Sequence, residues 1–220
     1  MLAEVKQELR GATHPRLNTP WLNTKSRIDE IVALAESIGQ PLLDWQKLIL
    51  TDMCAVDDSN MFIKKSALFV CARQSGKSHM MRMRVLAGLF CFGERNILIM
   101  SSQRQMASKS LEIMAGIIER TPHLLAQVKG GNIDKAYKRT NGNERIILEN
   151  GAEVKVVAAT TDSARGLSAD CVWVDELREC GIEALDAVKS TVLNGFTNKI
   201  LYKNSILQFI RIIKFIVSLI

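Results

Sequence analysis

The 220-residue sequence has no pair of cysteines spaced as CxxC, and its five cysteines, Cys54, Cys71, Cys91, Cys171 and Cys180, are odd in number. That spacing argues against a disulfide framework or a thiolate metal site. It favours buried thiols in a reducing compartment. The N-terminal stretch MLAEVKQELRG lacks the apolar core of a signal peptide. No apolar run is long enough to cross a bilayer, which takes about 20 residues. The most apolar segment, ILQFIRIIKFIVSLI at 206–220, is shorter than that and is interrupted by Arg211 and Lys214. Internal repeats and low-complexity tracts are absent, and no acidic residue follows Asp186. What remains is an ordinary soluble composition, 47% hydrophobic and 24% charged, with material for one sizeable core. The net charge of +6 suits a polyanionic partner and equally an unremarkable basic protein.

Residues 1–25 read as an irregular lead-in. SRIDEIVALAESIGQP has helical spacing at Ile28, Ile31, Val32 and Ala35; Ser26 is the expected N-cap, with Asp29 as its capping-box acid and Gly39 and Pro41 as the stop. A second amphipathic helix is expected from about Asp44. The period then changes. SALFVCA (66–72), RNILIMSS and CVWVDE are short apolar runs of the kind that form buried parallel strands, and NKILYKN is a further candidate. KSHMMRMRVLAGLFCFG, QRQMASKSLEIMAGIIERTP and GIEALDAVKSTV alternate with them as helices. GGNIDKAYKRTNGNER reads as a polar, basic loop, and RIILENGAEVKVVAAT as a hairpin turning at Asn150-Gly151. Strand–helix alternation implies an α/β fold with a mostly parallel central sheet flanked by helices, the β-hairpin being an insertion between its units.

Four stretches carry chemistry. Gly76-Lys77-Ser78 sits between an apolar strand and an amphipathic helix, the setting of a phosphate-binding loop. Backbone N–H groups at that helix N-terminus and the helix dipole attract anionic oxygens; Gly76 permits close approach, Lys77 reaches the terminal phosphates, and the Ser78 hydroxyl can ligate Mg2+. The loop formula asks for glycine where this chain has Cys71. CVWVDE supplies the second metal anchor, Asp175, followed by Glu176, a base able to polarise an attacking water. In PLLDWQKLIL the Gln46 carboxamide, donor and acceptor at once, can pair with an adenine edge, with Trp45 packing beside it; the competing reading is a surface glutamine on an amphipathic helix. In TTDSARGLSAD, Arg165 can place a guanidinium near a γ-phosphate, as an arginine finger in cis or in trans, or be a solvated loop arginine.

Together, LDWQ, CARQSGKS and SARGLSADCVWVDE resemble the large terminase subunit of tailed bacteriophages in its ATPase domain, over about Asp44 to Leu201. That family's phosphate loop lacks the first glycine and carries an early arginine, positions held here by Cys71 and Arg73. The resemblance implies a P-loop NTPase of the additional-strand class. It implies that Gln46 reads adenine, that Arg73, Gln74, Ser75, Gly76, Lys77 and Ser78 bind ATP and Mg2+, that Asp175 anchors the metal, and that Glu176 and Arg165 are catalytic carboxylate and finger. It further implies a ring-shaped homo-oligomeric motor packaging double-stranded DNA into a procapsid, with a portal protein and a small terminase subunit as partners, no membrane association, and a location in the host cytoplasm at the portal.

On this reading residues 1–60 are a helical lead-in carrying the adenine-side motif, 61–203 the ATPase core, and 204–220 an atypical apolar tail. Terminase large subunits continue into a nuclease domain rich in acidic residues. The tail does not resemble that family, so a truncated, frameshifted or split gene product without nuclease activity is expected. A helicase-like P-loop motor and a non-catalytic ATP-binding remnant are the alternative readings. Lys129, Lys135, Lys138, Arg139 and Arg145 are candidate phosphate contacts to DNA, or a solvated basic loop.

Overall fold

The computed structural model describes residues 14–101, 103–140, 142–158, 168–176, 179–180 and 199–205. The expected helix at 181–192, the Arg165 loop and the apolar tail from 206 lie outside them. The chain opens irregularly and then forms α1 (Ile28–Ser37) and α2 (Asp44–Met53). β1 (Ser66–Cys71) leads into α3 (Lys77–Ala87), whose last turn widens to a π-helical turn over Gly88–Phe92. β2 (Asn96–Ser101), α4 (Arg104–Glu119) and the single-turn helices α5 (Pro122–Leu125) and α6 (Ile133–Ala136) follow. The strands β3 (Tyr137–Lys138), β4 (Arg145–Ile147), β5 (Glu153–Ala158), β6 (Cys171–Asp175) and β7 (Lys199–Ser205) complete the sequence of elements.

These strands form one seven-stranded sheet in the order β1-β7-β6-β2-β5-β4-β3. The first five are mutually parallel, and β4 and β3 extend the sheet antiparallel. The fold is thus mixed α/β with a mostly parallel sheet, as the alternation of periods implies. The hairpin is not an insertion, however. β5 pairs parallel with β2 from Asn96↔Glu153 to Ser101↔Ala158 while pairing antiparallel with β4. Val154, Val156 and Val157 are all buried, so β5 has apolar cover on both faces and sits inside the sheet. Its turn is a three-residue loop closed by Leu148 N–H to Ala152 O at 2.7 Å, with Gly151 left-handed at φ 83°.

Three further local expectations change. Ser26 does not cap α1: its hydroxyl donates to the Thr51 carbonyl at 2.7 Å, and Arg27 occupies the cap position. The segment 129–145 is no plain loop. It holds a 3-10 turn, α6 and β3, because Ile133, Ala136 and Tyr137 have a core to enter. Two of its cations are paired, Arg139 with Asp134 at 3.6 Å and Arg145 with Glu153 at 3.1 Å. β1 is half-buried along its length rather than buried, consistent with its place at the end of the strand order.

The core runs continuously from the two leading helices to the sheet. Ile31 and Leu34 of α1 and Leu50 and Met53 of α2 join Met80, Met81 and Met83 of α3, Ile97 and Ile99 of β2, and Trp173 of β6. Polar from its composition, α3 is nonetheless buried almost all round, and its flexible methionines fill the space between α1, α2 and α4.

Candidate active site

All five parallel strands run the same way, so β1, β7, β6, β2 and β5 release their chains at one carboxyl edge. Ligands of open parallel sheets bind at that edge. The loop from Cys71 to Gly76 leaves it at β1, and Asp175 and Glu176 leave it at β6, with β7 between.

The loop is held by its own groups. Ser75 Oγ donates to the Ala72 carbonyl at 2.7 Å and lies 3.0 Å from Cys71 Sγ, so the thiol at the position of the missing glycine faces the loop's serine. Gln74 and Gly76 are left-handed, at φ 59° and 94°. Left-handed residues in so short a stretch turn backbone N–H groups into an anion-binding concavity. Gly76 is the N-cap of α3 and, as glycine, brings no capping side chain of its own. Its glycine identity is doubly required: the φ is strained for any other residue, and a Cβ there would stand 2.8 Å from Gln46 Nε2. Lys77, 6% exposed, folds its ammonium under the loop and donates to the carbonyls of Cys71, at 3.1 Å, and Ala72. Arg73 and Gln74 are exposed, and Ser78 is half-buried in the first turn of α3.

Gln46 is not on the surface. It is fully buried; its Oε1 accepts from Leu43 N–H at 2.8 Å and its Nε2 donates to the Gly76 carbonyl at 3.0 Å. Trp45, half-buried, packs beside it toward Gly76. On the acidic side, β6 is buried throughout and Asp175 is 4% exposed. Glu176 takes the left-handed conformation, φ 52°, which costs a non-glycine residue on the order of 1 kcal/mol and re-aims its carboxylate as the strand ends. Ser101 at the end of β2 is the Cα partner of Asp175, a neighbour the sequence pattern did not reveal. Asp170, in the same TTDSARGLSAD stretch as Arg165, ties two strands together. Its carboxylate accepts from Arg95 N–H at 2.7 Å and Asn96 N–H at 3.0 Å, tying the start of β6 to the start of β2. Arg165 itself lies outside the described residues.

The residues present fit a nucleoside triphosphate with magnesium. A helix N-terminus with glycine as its N-cap, reached through left-handed residues, suits phosphate oxygens, and Lys77 is a buried cation already facing oxygen acceptors. Among the described residues no cluster of three His, Cys, Asp or Glu forms a metal cage. Magnesium does not need one, since it binds through one or two protein oxygens together with phosphates and waters.

One titration is attached to the loop helix. His79 Nε2 lies 3.3 Å from the Pro41 carbonyl, and burial pushes the imidazole pKa below its ordinary value, against the opposing pull of that carbonyl. A proton therefore binds the unfolded chain more readily than the folded one. The contribution is complete above the ordinary histidine pKa, about 6.5, and is lost as pH falls. The thermal midpoint of the wild-type protein should drop more between pH 7 and pH 5 than that of His79→Gln; equal drops would contradict this.

The family comparison gives the fold and site a context. Residues 68–200, more than half of the chain, match the model of the terminase large subunit, T4likevirus-type, N-terminal. The structure is similar to the large terminase of bacteriophage HK97, with a TM-score of 0.63 and 20% identity, over 82% of this chain and 38% of that one. It is also similar to the large terminase ATPase domain of Thermus phage P74-26, with a TM-score of 0.55 and 17% identity, over 78% of this chain and 68% of that one. At these identities the likeness is one of fold, and the chain spans well under half the length of the HK97 protein. No curated protein sequence matches. On the strength of the family match, with the fold in agreement, this chain belongs to the T4likevirus-type terminase large subunit family, in its N-terminal region.

Proposed function

We propose that this chain is the ATP-hydrolysing motor domain of a terminase large subunit, and that it drives double-stranded DNA into a procapsid. The observation that carries the reading is the N-terminus of α3, with left-handed Gly76 as its N-cap and Lys77 buried beneath the loop, at the same sheet edge as Asp175 and Glu176. The strand order supports the additional-strand class of P-loop fold, because β7 lies between the loop-bearing β1 and the acid-bearing β6.

In this proposal the N–H groups of the loop from Arg73 to Ser78 hold the β- and γ-phosphates, and Lys77 exchanges its loop carbonyls for phosphate oxygens. Arg73 and Gln74, exposed at the mouth, close over the nucleotide. Ser78 and Asp175 would hold magnesium, which supplies charge neutralisation at the phosphate oxygens. Glu176 takes the proton of the attacking water. Arg165, from this or a neighbouring subunit of a ring, stabilises the charge that develops on the leaving phosphates. Portal protein and small terminase subunit are the partners this role requires, and the host cytoplasm at the portal is its place. Phosphate release from ATP by the purified protein, with magnesium and with and without double-stranded DNA, tests the reading. Turnover that stops when magnesium is chelated is expected; absence of turnover under every one of these conditions would overturn it.

A further inference from the structure

A buried carboxamide whose oxygen and nitrogen both face main-chain partners is not presented to a base. Gln46 is such a group: fully buried, with Leu43 N–H at 2.8 Å and the Gly76 carbonyl at 3.0 Å. The partners fix the amide orientation, because a backbone N–H can only meet the oxygen and a backbone carbonyl only the nitrogen. Each bond is made at the start of a helix. Gln46 is the N3 residue of α2, and its oxygen reaches back to the N–H of the N-cap, Leu43, which has no side-chain oxygen of its own to answer with. The Gly76 carbonyl also accepts the first α3 bond, from Met80 N–H at 3.1 Å. One carboxamide therefore ties the N-terminus of α2 to the N-terminus of the phosphate-loop helix, across 30 residues of chain.

We infer that Gln46 is a positioning residue for the phosphate loop rather than a reader of adenine: it fixes Gly76 in its left-handed conformation and so sets the N–H groups that grip the phosphates. This deepens the ATPase reading above and rests on it. The clamp acts on whatever carries the phosphates, so its loss weakens all polyphosphate ligands alike. A base contact would weaken one nucleotide only. Gln46→Glu keeps the acceptor for Leu43 N–H but sets an oxygen against the Gly76 carbonyl. Leu43→Pro removes the other partner at an exposed position whose φ of −72° already suits proline.

The experiment measures equilibrium affinity for ATP, GTP and inorganic tripolyphosphate, with magnesium, for the wild type and both variants, alongside thermal midpoints. Gln46→Glu is expected to lose about tenfold in affinity for all three ligands, and Leu43→Pro several-fold, with the ATP-to-GTP ratio unchanged in each. The inference is overturned if Gln46→Glu loses ATP affinity while GTP and tripolyphosphate are unaffected, or if Leu43→Pro leaves all three affinities intact. It is equally overturned if midpoints fall and affinities do not, since that is a structural role alone. A wild-type protein that binds none of the three would remove the ATPase reading itself, an outcome distinct from any of these.

Discussion

Glu176→Gln should lower ATP turnover by about 10²–10⁴-fold, the range a positioned general base contributes. The substitution is isosteric, and Gln meets the same left-handed backbone at φ 52° as Glu does, so the strand end keeps its shape. Removing an anion beside the phosphates does nothing to weaken their attraction to Lys77 and the α3 N-terminus. Nucleotide affinity should therefore hold or rise while phosphate release collapses. Steady-state phosphate release and equilibrium ATP binding, measured on the same preparation, check the two halves separately. Turnover within tenfold of wild type would exclude Glu176 as the base, and a parallel loss of binding would mean that its role is structural.

The largest loss of stability is expected behind the site. Arg84, on the loop helix, and Glu94, just past the π-helical turn, are both fully buried and joined by two bonds, Nη1 to Oε2 at 3.0 Å and Nη2 to Oε1 at 2.6 Å. The guanidinium also lies 4.7 Å from the Phe92 ring centroid and 5.2 Å from that of Phe62. Breaking a buried pair from one side strands the other charge, at a cost of about 3–5 kcal/mol. That is a large part of the 5–15 kcal/mol by which a domain is typically stable. Glu94→Ala should thus lower the thermal midpoint by roughly 10 °C or more. The double variant Arg84→Met/Glu94→Leu leaves no charge behind and should lose clearly less. If the double variant falls as far as the single one, stranded charge is not the cause. Either outcome is read from melting curves at one pH.

How far the sequence could be read depended on the range of the forces involved. Strand β6 and the loop before α3 are written in contiguous residues, so CVWVDE and ARQSGKS pointed directly at the carboxyl edge of a parallel sheet. Glycine at 76 is likewise a local requirement. Gln46 stands in a local motif, but whether its amide faces a base or the Gly76 carbonyl depends on a contact thirty residues away. The same limit hid the true place of β5. Its alternation and the Asn150-Gly151 turn announce a hairpin, yet only the pairing with β2 makes it part of the central sheet. Ser26 had the right spacing for a cap, but its hydroxyl found a better-placed acceptor in the neighbouring helix, at Thr51. The segment 129–145 looked like loop because its few apolar residues, Ile133, Ala136 and Tyr137, are too sparse to show a period.

The pairing of β1 with β7 bears on how the protein comes into being. The strand that leads into the loop before α3 is made early, and the neighbour it bonds to from Ser66↔Ile200 to Cys71↔Ser205 is the last described strand to be made. At translation rates of about 5–20 residues per second, β1 waits on the order of ten seconds for that partner. Through that interval the apolar run ALFV has no strand to lie against on the β7 side, and closing so long a loop adds to the entropic cost. A nascent chain halted before residue 199 would leave that strand edge without its partner, open to pairing with an edge of a neighbouring nascent chain.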